Sequence, residues 1–119
     1  EWKVFLETRG NQNFDMARGA WCGDYNEAST FLDLLTSASG YNDGKYSNAR
    51  VDALMAEAKS SRDTAPLYTE VEQILADEMP VVPVYHYSTN IMLDSAIQGW
   101  PINNVEQTWY SKDLYKVAE

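Results

Sequence analysis

The chain has 119 residues, 45% of them hydrophobic, which is enough for one domain with a single core. It carries 9 basic residues against 18 acidic ones, a formal net charge of −9, so nucleic acid and anionic lipid are disfavoured as partners. No apolar run is long enough to cross a bilayer, which predicts no direct membrane insertion. The single cysteine, Cys22, can form neither an internal disulfide nor a cysteine-rich metal site.

The first part of the chain predicts the end of a helix, then a strand, then a polar loop. Residues 1–8 carry a short apolar helical face that includes Trp2. Residues 14–20 alternate between two sides, which predicts a strand. Residues 21–27 break this alternation and predict a loop with aromatic rings and carboxylates at the carboxyl end of the strand. Open α/β sheets bind ligands at this place, so the loop is either a binding site or a solvated turn.

Helices and a second strand follow. Apolar stripes predict three helices, at residues 28–36, 48–62 and 65–77. The β-branched and aromatic residues of 81–87 predict a strand in the same sheet as residues 14–20, and residues 114–117 predict a last extended piece. The fold class is therefore α/β, with helices packed on a small mixed sheet. So few strands make a thin sheet, which favours a piece of a larger domain.

Two runs of sequence are more specific than the helices around them, FDMAR at residues 14–18 and WCGDYNE at residues 21–27. They resemble the binding-site stretch of bacterial oligopeptide-binding proteins, the extracytoplasmic receptors of peptide-importing ABC transporters. PVYHY at residues 83–87 resembles a strand near the hinge of these receptors, and WYSKDLY at residues 109–115 resembles their carboxyl terminus. The resemblance covers essentially the whole chain. Family members are several times longer, so it implies the C-terminal piece of one receptor.

The resemblance implies a type II periplasmic-binding-protein fold, in which two α/β lobes close on a peptide and hold its backbone and termini. Residues 1–87 would be part of the C-terminal ligand-binding lobe, and residues 88–119 would return towards the other lobe. A periplasmic location is implied, with short peptides as ligands and the membrane permease of an ABC importer as partner. No cofactor and no enzymatic activity are expected.

The resemblance also implies a role for each matching residue. Asp24 would pair with the α-ammonium group of the peptide, where neighbouring aromatic rings strengthen a charge-assisted hydrogen bond. Arg18 and Arg9 would bind the C-terminal carboxylate of peptides of different lengths, because a guanidinium fork suits two oxygens. The walls and side-chain pockets would be formed by Trp21, Cys22, Trp2 and Tyr87. The Cys22 thiol would form a disulfide with a cysteine upstream of this piece.

Other functions fit the same residue types. A carbohydrate-binding or glycoside-cleaving module would use Asp24 and Glu27 as its carboxylate pair. Its sugar rings would stack on Trp21, Tyr25, Trp100 and Trp109. A third class is an interaction domain with no small ligand. A nucleophilic triad of Cys22, Asp24 and His86 has no local motif, and the lone histidine is interpreted as structural, so no metal site is expected.

Overall fold

The computed structural model describes residues 1–102, 104 and 108–117. The chain divides into two compact units, Glu1–Val82 and Pro83–Glu119. The helices of the first unit are α1 (Trp2–Gly10), α2 (Ser29–Leu32), α3 (Ala49–Ala58) and α4 (Ala65–Glu78). A short 3₁₀ helix, Asp33–Leu35, continues α2. The second unit contains β1 (Ile97–Gln98), a 3₁₀ turn (Ser111–Asp113) and β2 (Tyr115–Lys116).

The helices α3 and α4 are bounded by residues whose local chemistry favours a helix end. The Asn48 side chain accepts hydrogen bonds from the N–H groups of Arg50 and Val51, at 2.9 and 3.2 Å, and so caps the start of α3. The last turn of α4 is followed by Met79 in the left-handed conformation, with φ of 50°, just before Pro80. The three helices predicted in this region are confirmed, although α3 ends earlier than predicted.

The core of the first unit is formed by helices packed against one another. Val51, Leu54 and Met55 of α3 and Val71 of α4 are at most 2% exposed. On α3 the buried residues are at positions 51, 54, 55 and 58, which is the i, i+3, i+4, i+7 spacing of one helical face. Leu32 at the end of α2 completes this cluster. Burying a side chain of this size stabilises the fold by about 1.5–3 kcal/mol, so the cluster fixes α2 against α4.

The second unit contains a short antiparallel strand pair, in which Gln98 of β1 lies opposite Tyr115 of β2. The Val117 N–H donates to the Ala96 carbonyl oxygen at 2.9 Å and extends the pairing beyond the strands. This confirms the extended piece predicted at residues 114–117.

The strands predicted at residues 14–20 and 81–87 are wrong, because neither segment pairs with another strand within the described residues. Alternation gives a segment one apolar side, but a strand forms only where a second backbone takes its N–H and C=O groups. Met16 and Val84 in these segments are 92% and 83% exposed. The sheet observed in the described chain is two-stranded and antiparallel. No helix among the described residues is long and apolar enough to cross a membrane.

Candidate functional site

The predicted binding loop, residues 21–27, folds back on the start of α2. The Asp24 N–H donates to Thr30 Oγ1 at 2.9 Å, and Thr30 is only 5% exposed. Gly23 allows this close approach, because a Cβ at its position would lie 3.3 Å from Thr30 Cγ2. The backbone at Asp24 is therefore held by a buried side chain, while Asp24 itself is exposed.

Asp24 lines an open depression of about 400 Å³ in the first unit. Trp21 and Tyr41 form an aromatic corner of this depression, with ring centroids 4.8 Å apart and ring planes at 61°. The indole N–H of Trp21 is buried and has no hydrogen-bond partner among the described residues. Further polar or charged lining residues include Tyr25, Ser29, Asp33, Thr36 and Lys59. A carboxylate beside aromatic rings in an open depression suits a ligand with a positively charged group.

Glu27, the last residue of the loop, is bound within the first unit. Its Oε2 accepts a hydrogen bond from the Ser29 hydroxyl, and its Oε1 accepts one from the Tyr68 hydroxyl on α4. These two bonds lower the pKa of Glu27, and the bond from Ser29 has the larger effect. A glycoside-cleaving pair needs both carboxylates to face the ligand. Because protein hydroxyls hold both oxygens of Glu27, the arrangement does not favour an Asp24/Glu27 pair of that kind.

The other predicted site residues of the first unit do not line the depression that contains Asp24 and Trp21. Arg9 is paired with Asp43, with Nε 2.7 Å from Oδ2. Arg18 is exposed in the segment before the binding loop. Trp2 is 63% exposed and stacks on Phe5 with ring centroids 5.4 Å apart. The Cys22 thiol is free and exposed.

The remaining candidates lie in the second unit. Tyr87 is 54% exposed, and its ring lies 5.0 Å from that of Tyr85 at an interplanar angle of 69°. Trp100 and Trp109 pack with centroids 4.9 Å apart. His86 is exposed. Across the described parts of both units, no group of three His, Cys, Asp or Glu side chains could hold a metal ion.

Several residues that shape the site were not found from the sequence. Thr30 had a local signal, since a hydroxyl at a helix start often bonds to nearby backbone. Tyr41 and Asp43 lie in the loop before α3, and Tyr68 lies on α4. Tyr68 meets Glu27 across 41 positions of sequence, and no hydrophobic periodicity reveals such a contact.

Comparison with known proteins identifies the relatives of this chain. No protein-family profile matches it. The periplasmic murein peptide-binding protein MppA of Escherichia coli is 38% identical over 98% of the chain, and the periplasmic oligopeptide-binding protein OppA of the same organism is 37% identical over 98%. In both cases the chain spans 22% of the length of the relative.

Solved structures agree with the sequence relatives. The murein tripeptide-binding protein MppA of Escherichia coli superimposes with a TM-score of 0.82 at 37% identity, covering 100% of this chain and 24% of that one. The Haemophilus influenzae OppA in complex with RPPGFSPFR gives a TM-score of 0.81 at 30% identity, covering 99% of this chain and 24% of that one. The chain as a whole therefore has the fold of one part of these proteins.

These matches define the class as solute-binding proteins, and the prediction that the chain is a piece of that fold is confirmed. The chain belongs to the family of periplasmic oligopeptide-binding proteins, of whose length it spans about 22%. The resemblance predicted from residues 14–18 and 21–27 is therefore correct. The Escherichia coli relatives MppA and OppA are both named as periplasmic proteins, in agreement with the predicted location.

Proposed function

We propose that this chain is part of the substrate-binding component of an ABC peptide importer in the periplasm, a binding protein and not an enzyme. It binds short peptides by their backbone and termini and delivers them to the membrane permease of that importer. The observation that carries the proposal is the chain-long similarity to the murein peptide-binding and oligopeptide-binding proteins. One of the similar structures is a complex with RPPGFSPFR.

The binding loop is consistent with capture of a peptide amino terminus. Asp24 is exposed beside a depression lined by Trp21, Tyr25 and Tyr41. An ammonium group that binds there meets a carboxylate and aromatic faces, both of which favour a cation. In the described part of the chain no protein cation forms an ion pair with Asp24, so its charge is available to a ligand.

The other predicted residues take roles at the same ligand in the complete receptor. Arg9 and Arg18 bind the C-terminal carboxylate of peptides of different lengths, and Arg9 must then share its guanidinium with Asp43. Residues 1–87 belong to the C-terminal ligand-binding lobe, and residues 88–119 return towards the other lobe. The walls and side-chain pockets are provided by Trp21, Cys22, Trp2 and Tyr87.

The test is an Asp24→Asn substitution in the full-length protein. Asparagine keeps the shape of aspartate but loses the charge that faces the ammonium group. Loss of one partner of a desolvated charge pair should raise the Kd of a free-amine peptide by about thirtyfold or more. The N-acetylated form of the same peptide should bind the wild type weakly and lose much less affinity on substitution.

The control is Asp15→Asn, which removes the same charge from an exposed residue outside the depression. It should leave the Kd of both peptides unchanged. An equal loss for free and acetylated peptides in Asp24→Asn would contradict the role of Asp24. Recovery of sugars instead of peptides from the purified full-length protein, by mass spectrometry, would contradict the proposed ligand class.

A further inference from the structure

The binding loop is attached to the first unit at two points. At the first, the Asp24 N–H bonds to Thr30 at 2.9 Å. At the second, the Glu27 carboxylate accepts a hydrogen bond from the hydroxyl of Tyr68, which lies in the first turn of α4. The first attachment is local in sequence, whereas the second joins the loop to a different helix.

We propose that Glu27 and Tyr68 form a positioning pair, which holds the binding loop against α4 so that the Asp24 carboxylate is aligned with the ammonium group of the peptide. The proposal rests on the proposed function of Asp24. Neither Glu27 nor Tyr68 touches the ligand in this arrangement, and both act by setting the position of the binding loop. The pair would set the preference of the site for peptides with a free amino terminus.

Tyr68 is suited to this role because its ring is held by packing against the core, independently of its contact with the loop. The ring is half-buried and packs against the hydrophobic cluster of α2, α3 and α4, which includes Leu32 and Val71. A side chain fixed by packing presents its polar end in a defined place. Burial and, to a smaller extent, the hydrogen bond to Glu27 raise the pKa of Tyr68, so the hydroxyl stays protonated and can donate a hydrogen bond.

Glu27 connects this anchor to the wall of the depression. Its second oxygen accepts a hydrogen bond from the Ser29 hydroxyl, which lies 2.9 Å from the Tyr25 hydroxyl. Tyr25 and Ser29 line the same depression as Asp24. One carboxylate therefore links α4 to two lining residues beside Asp24. A charge-assisted hydrogen bond depends steeply on geometry, so a loosened loop should weaken ammonium binding before it affects the fold.

The experiment measures a selectivity ratio in the full-length protein, the Kd of an N-acetylated peptide divided by the Kd of the same peptide with a free amine. Tyr68→Phe removes only the hydroxyl, and Glu27→Gln keeps the shape of the side chain but removes its charge. Each variant should lower the ratio about three- to tenfold, with little change in the Kd of the acetylated peptide. The double variant should lower it no further than the stronger single variant, because the two residues act as one unit.

The matched control is Tyr46→Phe. Tyr46 also packs on the core, and its hydroxyl donates to Glu78 Oε2 at 2.6 Å. Glu78 ends α4 at about 15 Å along the helix axis from Tyr68, away from the loop. This variant removes the same kind of bond at another place. It should lower the melting temperature by about as much as Tyr68→Phe and leave the selectivity ratio at the wild-type value.

The outcomes separate this inference from the proposed function. If Asp24→Asn abolishes the preference for the free amine while Tyr68→Phe and Glu27→Gln leave it intact, the positioning pair is wrong and the role of Asp24 stands. A similar fall of the ratio in Tyr46→Phe would reduce the effect to general destabilisation and also overturn the pair. If Asp24→Asn leaves the ratio unchanged, both the role of Asp24 and the pair that serves it are wrong.

Discussion

The Nε atom of Arg9 lies 2.7 Å from Oδ2 of Asp43, which ties the last turn of α1 to the loop before α3. The two side chains are 29% and 26% exposed, so water screens the pair only in part. A guanidinium carries five N–H donors, and one carboxylate does not use them all. Asp43 therefore both orients Arg9 and competes with any ligand carboxylate for its charge.

Substitution of Asp43 by asparagine should strengthen the binding of peptides with a free carboxyl terminus. Asparagine can still accept a hydrogen bond from Arg9, but its negative charge no longer competes. Pairs of this kind contribute up to about 1 kcal/mol, so the Kd should fall by up to about fivefold in calorimetric titration of the full-length protein. C-amidated peptides should be unaffected, as should the control Asp63→Asn. Equal changes for both peptides would exclude Arg9 as the carboxylate ligand.

Glu78 should make the stability of the protein depend on pH under acidic conditions. Tyr46 and Asn48 donate to its two oxygens at 2.6 and 2.9 Å, and these bonds lower the pKa of Glu78 below its ordinary value of 4.5. A carboxylate with a lowered folded-state pKa stabilises the fold above its unfolded pKa and loses that effect as the pH falls through the folded value.

The corresponding measurement is urea unfolding of wild type and Glu78→Gln, from neutral pH down to about pH 3. The variant should be less stable at neutral pH, and the difference should shrink as the pH falls below 4.5. Glu72→Gln, on the exposed side of the same helix, serves as the control for charge alone. A difference between Glu78→Gln and wild type that is independent of pH would contradict the assignment.

Gly99 should be irreplaceable at the end of β1. Its φ is +82°, and a Cβ there would lie 2.0 Å from the Asp113 carbonyl oxygen. Gly99→Ala should therefore destabilise the strand pair by more than about 1 kcal/mol. The Val117 amide, which bonds to Ala96 at 2.9 Å, should then exchange its hydrogen faster. Gly40→Ala, with no atom within 4 Å of the added Cβ, should have no such effect.

Given the proposed periplasmic location, the thiol of Cys22 should be oxidised in the full-length protein. It is exposed, and it is the single cysteine of this chain. The family resemblance implies a disulfide between Cys22 and a cysteine upstream of this piece. A thiol reagent should not label Cys22 in the denatured, unreduced full-length protein. The control variant Cys22→Ser should release one new reactive thiol, that of the partner. Complete labelling of Cys22 without reductant would disprove the disulfide.

The helices could be predicted because their signals are local. The buried stripe of α3 and its cap at Asn48 lie within one stretch of sequence, and so do the apolar face of α4 and the Pro80 that follows it. The strands at residues 14–20 and 81–87 could not be predicted in the same way. Their alternation is real, but strand pairing is a property of two segments, and the described chain provides no partner for either.

The same distinction between local and long-range features applies to the candidate site. By itself the sequence determined the loop with Trp21 and Asp24, because the WCGDYNE run is contiguous and specific enough to reveal the family. Only the tertiary structure decided that Glu27 is bound by Tyr68 and that Arg9 is paired with Asp43. The physical reason is that a hydrogen bond or ion pair depends on distances of a few ångströms between atoms. Chain folding sets those distances, and spacing along the sequence does not reveal them.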